Sequence, residues 1–289
     1  MSRAVSLPAL PSTLAAALDE ARAALQIVAD DPGREAHILL AHLTGQPRAW
    51  LLAHPEAPLR QEIAVAYRAA VRRRALGEPL PYLVGEWEFY ARPFFLDPNV
   101  LIFRPETELL VETGLNWLKA HPAARQAADI GTGSGVIAIA LAIQIADLHV
   151  IAIDISEPAI ALATRNAERH AVQGQITFVQ GDLLAGLPAP VDLLCANLPY
   201  IPTATLDTLD VAKHEPRLAL DGGPDGLRLI ARLLADAPGK LNPGGAALLE
   251  IEAGQGESAP AIARRHFPHA AIDVRPDLAG HPRLLVVQT

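Results

Sequence analysis

A glycine-rich turn and three acids, each at the end of a short apolar run, have the residue types and spacing of a binding site. The turn is Asp129-Ile130-Gly131-Thr132-Gly133-Ser134-Gly135, and it opens the helical pattern Val136–Ala146. Glycines there permit a tight turn and let a ligand approach the backbone closely. The spacing is G-x-G-x-G, with Val136 where a dinucleotide fingerprint would place its third glycine. The Asp129 carboxylate disfavours a pyrophosphate and favours a sulfonium and an amino group. A second run ends in Asp154, which can accept both hydroxyls of a ribose or cap the helix beginning at Glu157-Pro158. A third leads to Gly181-Asp182-Leu183, where the acid can accept from an exocyclic adenine amine while Leu183 packs on the ring. Taken together these residues read as a site for S-adenosyl-L-methionine. A nicotinamide site and plain strand-to-helix punctuation are the competing readings.

A fourth apolar run, Val191–Ala196, leads directly into Asn197-Leu198-Pro199-Tyr200. Asn and Pro favour turns, so ending a strand is one reading. The tetrapeptide also resembles the (N/D)-P-P-Y motif of class I methyltransferases that modify planar amide or amine nitrogens. That resemblance implies that Asn197, Leu198, Pro199 and Tyr200 bind the substrate and carry the reaction, with Asn197 also bordering the cofactor. An amide nitrogen is a poor nucleophile because its lone pair is delocalised. Asn197 Oδ1 and the Leu198 carbonyl would accept from its two N–H groups, and Tyr200 would stack on its plane. Transfer would then be in-line, driven by positioning and desolvation, with no metal. Leu198 stands where the motif usually has proline. Only its carbonyl is asked to accept, and Pro199 still holds residue 198 extended. N-L-P-Y is, however, the form typical of ribosomal RNA adenine dimethylases, which leaves adenine in RNA open as a target.

The elements that must position these residues are legible from periodicity. Residues 1–76 read as a helical domain. Leu14, Leu18, Leu25 and Val28 share one face of a first helix that Ser12 could cap. A second helix covers about Arg34–Leu43 and a third about Leu59–Leu76. The triplet Arg72-Arg73-Arg74 on the third reads as a solvated face. Gly77-Glu78-Pro79-Leu80-Pro81 ends the helical part, and the aromatic stretch that follows predicts a hairpin within a linker, 77–104. From 105 to 289 short apolar runs alternate with helical patterns: Ala127–Ile130, His149–Asp154, Ile176–Val179, Val191–Ala196, Ala246–Ile251, Ala271–Val274 and Leu284–Val287. That alternation predicts α/β architecture with a largely parallel sheet, on which ligands bind at the C-terminal strand ends.

Long stretches look like the release-factor glutamine methyltransferase family (PrmC, formerly HemK). They are 78–85 (EPLPYLVG), 101–108 (LIFRPETE), Asp129–Gly135, Asn197–Pro202, 215–223 (EPRLALDGG), Asp225-Gly226-Leu227 and Asp277-Leu278-Ala279-Gly280. The R-P-E-T-E and E-P-R-x-A-L-x-G-G segments are specific to that family. The resemblance implies an N-terminal helical bundle, a hairpin linker and a Rossmann-like class I methyltransferase domain. It implies methyl transfer to the side-chain nitrogen (N5) of the glutamine in the Gly-Gly-Gln loop of class I peptide chain release factors, with the helical domain recognising the partner's body. Phe103 replaces the proline usual before R-P-E-T-E, a change expected to alter loop stiffness only. Arg104, Glu106 and Glu108 either line the site entrance, Arg104 and Glu106 touching substrate, or start a helix whose dipole the acids favour.

Composition narrows the field. The chain has 289 residues and is 51% hydrophobic, enough to bury a sizeable core. A net charge of −8 fits poorly with gripping nucleic-acid phosphates. No apolar run is long enough to span a bilayer. The signal-like start is broken by Pro8 and Pro11 and followed by Asp19 and Glu20. One cysteine, Cys195, excludes an internal disulfide and a multi-cysteine zinc site, and a reducing cytoplasm is the simple reading. Ten histidines show no metal-ligand spacing. Glu252 and Gln255 sit near the sheet's active edge without an assigned role. A cofactor-binding module that docks on the translation machinery without catalysis is the third reading.

Overall fold

The computed structural model describes residues 9–289. Met1–Pro8, where the signal-like stretch begins, lie outside the described residues. The chain divides into two compact units between Gly85 and Glu86, inside the stretch 77–104 read above as a linker.

The first unit is helical: α1 (Leu14–Leu25), α2 (Pro32–Thr44), α3 (Arg48–Ala53), α4 (Gln61–Ala75) and α5 (Leu80–Val84). Leu14, Leu18 and Leu25 of α1 are buried, as the periodicity requires. The cap differs from expectation. Thr13, not Ser12, takes the extended backbone and accepts from Ala16 N, because the helix starts one residue later. Of the triplet Arg72-Arg73-Arg74 on α4, two are engaged: Arg73 pairs with Glu78 and Arg74 with Glu35. Helix α5 lies where the turn residues of 77–81 suggested an end to helix. Pro81 fits because the first turn leaves its missing N–H unused.

The second unit opens with the antiparallel hairpin β1 (Glu86–Phe89) and β2 (Arg92–Phe95), then α6 (Thr107–Ala120). Alternation follows: β3 (Gln126–Ile130), α7 (Val136–Gln144), β4 (His149–Asp154), α8 (Glu157–Arg169), β5 (Ile176–Gln180) and β6 (Val191–Ala196). A two-residue strand, β7 (Ile201–Pro202), α9 (Thr203–Leu206), β8 (Asp221–Gly223) and α10 (Arg228–Asp236) come next. The unit ends with β9 (Leu241–Glu250), α11 (Ser258–His266), β10 (Ala271–Pro276) and β11 (Pro282–Gln288).

Seven strands form one sheet in the order β10-β11-β9-β6-β3-β4-β5. Only β11 runs opposite to the other six strands. The expected α/β Rossmann-like fold is therefore present. Strands β3, β4, β6 and β9 are buried almost throughout, which is why they read as continuous apolar runs. Helix α7 is apolar on every side because it packs between the sheet and helices α6 and α8. The chain goes outward from β3 to β4 and β5, then crosses back to β6 on the other side of β3. That reversal opens a crevice above the C-terminal ends of β3 and β6.

Candidate active site

Strands β3 and β6 pair in register Asp129↔Cys195 and Ile130↔Ala196. Their next residues, Gly131 and Asn197, therefore leave the sheet side by side. A side chain at Gly131 would meet Leu198 Cδ2 at 3.0 Å, so the glycine keeps the two loops in contact. A cavity of about 720 Å³ lies above this junction. Gly131, Thr132, Gly133 and Ser134 line it from one side and Asn197, Leu198 and Pro199 from another. Asp154, Asp182 and Leu183 complete the wall beyond β4 and β5. Most of the residues singled out in the sequence are thus gathered round one opening.

Six of them are not part of the wall, among them Glu108, whose Oε1 accepts from Tyr90 N at 3.0 Å. Asp129 is wholly buried beneath the turn. Its Oδ2 accepts from Thr132 Oγ1 at 2.7 Å and from Ala138 N at 3.2 Å, while Oδ1 has no partner. Burial pushes its carboxyl up to about 6, against the pull of those hydrogen bonds. Gly135 packs on Ile139 and Ala163 at the head of α7. Tyr200 turns its hydroxyl inward, donating to Glu250 Oε1 at 3.3 Å. Arg104 reaches Glu215 Oε1 at 2.6 Å, and Glu215 also accepts from Ile102 N. Glu106 sits at the N-cap of α6 with no capping bond, and Pro105 lies outside the helix.

Within the wall, local chemistry sets each side chain. Asp154 Oδ2 accepts from Gly133 N and Oδ1 from Ser156 N, both at 2.9 Å. The cap of α8 is Ser156, which accepts from Ala159 N, so Asp154 is left facing the cavity. Burial raises the Asp154 carboxyl, and its three backbone hydrogen bonds oppose that. Asp182 is half exposed and pairs with Arg232 at 2.8 Å. Asn197 Nδ2 donates to Thr107 Oγ1 at 3.1 Å. Among the described residues, no hydrogen bond reaches Asn197 Oδ1 or the Leu198 carbonyl. Two acceptors side by side therefore remain available at the cavity wall.

Three residues that support this arrangement were not read from the sequence as site residues. Thr107 lies within the R-P-E-T-E segment, and Glu250 is a lone carboxylate inside the apolar run 246–251, an anomaly visible in the sequence. Thr107 donates to Glu250 Oε2 at 2.7 Å, and both are buried. Asn166 on α8 accepts from Phe95 N and donates to Phe95 O and Ser134 O, tying the hairpin to the glycine-rich turn. No sequence signal marks it. Glu252 and Gln255 prove structural: Glu252 caps a short 3-10 turn, and Gln255 donates to Tyr200 O and Gly226 O. Cys195 is buried in β6, where burial raises its thiol well above the ordinary range. Among the described residues no group of side chains has the makings of a metal site, and no helix is long and apolar enough to cross a membrane.

Both units of the chain are similar to known proteins. Residues 16–85 match the PrmC N-terminal domain and residues 105–214 the methyltransferase small domain. A release factor glutamine methyltransferase of Nitratidesulfovibrio vulgaris is 39% identical, covering 95% of this chain and 94% of that one. The protein of that name from Bordetella pertussis is 42% identical over 88% and 95% of the two chains. Among solved structures, the hMettl16 catalytic domain superposes with a TM-score of 0.52 at 14% identity, over 86% of this chain and 91% of that one. A Pyrococcus furiosus methyltransferase gives a TM-score of 0.50 at 18% identity, over 69% and 90%. These two share the fold. The full-length relatives settle the rest: the chain belongs to the release factor glutamine methyltransferase family and is an S-adenosylmethionine-dependent methyltransferase.

Proposed function

We propose that the chain methylates the side-chain amide nitrogen (N5) of the glutamine in the Gly-Gly-Gln motif of class I peptide chain release factors. The observation that carries this reading is the pair of unengaged acceptors, Asn197 Oδ1 and Leu198 O, on the wall of the cavity that Gly131–Ser134 and Asp154 also line. A primary amide has two N–H donors in one plane, and two neighbouring acceptors match it. They hold the nitrogen and favour the pyramidal geometry of attack.

The residues on the other side suit the cofactor. Asp154 offers lone pairs to ribose hydroxyls, and Asp182 to an adenine amine beside the apolar Leu183. The glycine turn leaves its backbone open, with Asp129 beneath holding Thr132 in place. The cavity volume is within the range of small-molecule sites, roughly 300–1,000 Å³. Bound there, the sulfonium supplies an electrophilic methyl group. The protein's part is to orient the amide and exclude water. Leu198 supports this reading despite replacing proline, because Pro199 follows it and its carbonyl is free. The helical unit, which matches the PrmC N-terminal domain, recognises the body of the partner.

The test is incubation of the protein with S-adenosylmethionine and a class I release factor, with ribosomal RNA as a parallel substrate. The expected result is a mass gain of one methyl on the Gly-Gly-Gln glutamine, abolished by Asn197→Ala with cofactor binding retained. Label on RNA alone would overturn the reading.

A further inference from the structure

The reaction asks one end of the Asn197 amide to face the substrate, and nothing within an asparagine chooses which end. We infer that Thr107 and Glu250 make the choice: they form a buried relay that holds Nδ2 on the protein side and leaves Oδ1 to the substrate. Both are then positioning residues, and the inference rests on the role given to Asn197 above.

The direction follows from counting protons. The Thr107 hydroxyl has one, and its oxygen lies 2.7 Å from Glu250 Oε2. A carboxylate can only accept, so the proton points at Glu250. Oγ1 is thereby an acceptor toward Asn197, 3.1 Å away, and the amide must present its NH2. Turned over, the amide would set Oδ1 against hydroxyl lone pairs and aim its own N–H groups at those of the substrate. Thr107 and Glu250 are each only 2% exposed, so solvent does not replace a lost bond. Glu250 is fixed in turn by the Tyr200 hydroxyl on Oε1.

The relay keeps its direction only while Glu250 is ionised. A protonated Glu250 could donate to Thr107, whose own proton would then be free to hold the amide the wrong way round. Several groups bear on this titration. Burial, helped by the nearby Glu106 carboxylate, holds the carboxyl up at about 7. The Thr107 and Tyr200 hydroxyls and the Arg283 guanidinium on β11 pull it down.

The experiment measures methyl transfer to a release factor by the full chain, with Thr107→Val, Thr107→Ser and Glu250→Gln beside the unmodified protein. Losing one aligned hydrogen bond predicts roughly a tenfold fall in kcat for Thr107→Val. KM for the release factor and the calorimetric Kd for the cofactor stay put, and Thr107→Ser restores the rate. The unmodified enzyme loses kcat as pH drops through about 7, whereas Glu250→Gln, which cannot titrate, loses that limb. An unchanged kcat in Thr107→Val, or an unchanged acid limb in Glu250→Gln, overturns the relay. Should Thr107→Val not fold, the Glu250→Gln profile decides. If the unmodified protein methylates no release factor, the proposed function fails instead. The relay is then decided by the 15N side-chain resonance of Asn197. That resonance must follow the Glu250 titration in the unmodified protein and not in Glu250→Gln, and a resonance that ignores pH in both overturns it.

Discussion

Replacing Gly226 with alanine would damage the reaction loop from outside the cavity. The segment from Asp221 to Leu227 crosses Pro199 and Tyr200 so closely that a Cβ on Gly226 would lie 2.2 Å from Tyr200 O and 2.9 Å from Gln255 Nε2. Carbon and oxygen in ordinary contact are more than 3 Å apart, so one backbone must yield by about 1 Å. Gly226 also has φ +76°, a left-handed backbone that costs alanine roughly 1 kcal/mol. Displacing Tyr200 O or Gly226 O breaks the two bonds from Gln255, each worth about 1 kcal/mol. The total is about 3 kcal/mol, which for a unit of this size lowers Tm by roughly 6–12 °C. A 1 Å error beside Pro199 costs about 100-fold in kcat. Gly239 provides the control, with φ +87° and nothing within 4 Å of an added Cβ. Gly239→Ala should lose about 1 kcal/mol and keep its rate. Calorimetry and initial-rate methyl transfer on both variants check the argument. Equal Tm and equal kcat in the two would refute it.

Asn166→Ala removes three hydrogen bonds, one buried and two partly buried, that join β2 to the glycine turn, and it should cost about 3 kcal/mol in urea denaturation and weaken cofactor binding. Asp154→Asn keeps the shape but sets its NH2 against one of the two backbone N–H groups that the carboxylate accepts from, so isothermal titration should show cofactor affinity lower by about tenfold together with a Tm fall of roughly 2–4 °C. The Asp129 carboxyl, held near 6 by burial against 3.8 unfolded, binds its proton more tightly in the folded state. Its contribution is fully present below pH 3.8 and lost as pH rises through 6. Relative to Asp129→Asn, the unmodified protein should therefore gain about 1 kcal/mol between pH 8 and pH 5. A difference independent of pH would contradict that.

The parallel sheet was legible because its buried strands are uninterrupted apolar runs, and β4 and β6 span the residues their sequence suggests. Strand β9 begins five residues before Ala246, at Leu241, because Asn242, Pro243 and the two glycines hide its start. Most of the cavity wall was legible because class I chemistry concentrates at strand ends. The supports were harder to see. Asn197 and Thr107 are 90 residues apart and Thr107 and Glu250 are 143 apart. Spacing along the chain cannot report such pairs, since only the fold brings them together. Asp129 illustrates the converse: its position before the turn suggested a ligand contact, yet the pairing of β3 with β4 and β6 places it under the loop.

The long separation between Thr107 and Glu250 also bears on how the protein matures on the ribosome. Strand β9 is made after every residue of the reaction loop has emerged. Until then, Thr107 lacks its carboxylate, whereas Arg104 has had Glu215 within the chain since before β9 began. Because a domain folds as a unit, these contacts close only once β9 has been made. Chains released before Glu250 would lack the bond that fixes the Thr107 hydroxyl beside Asn197.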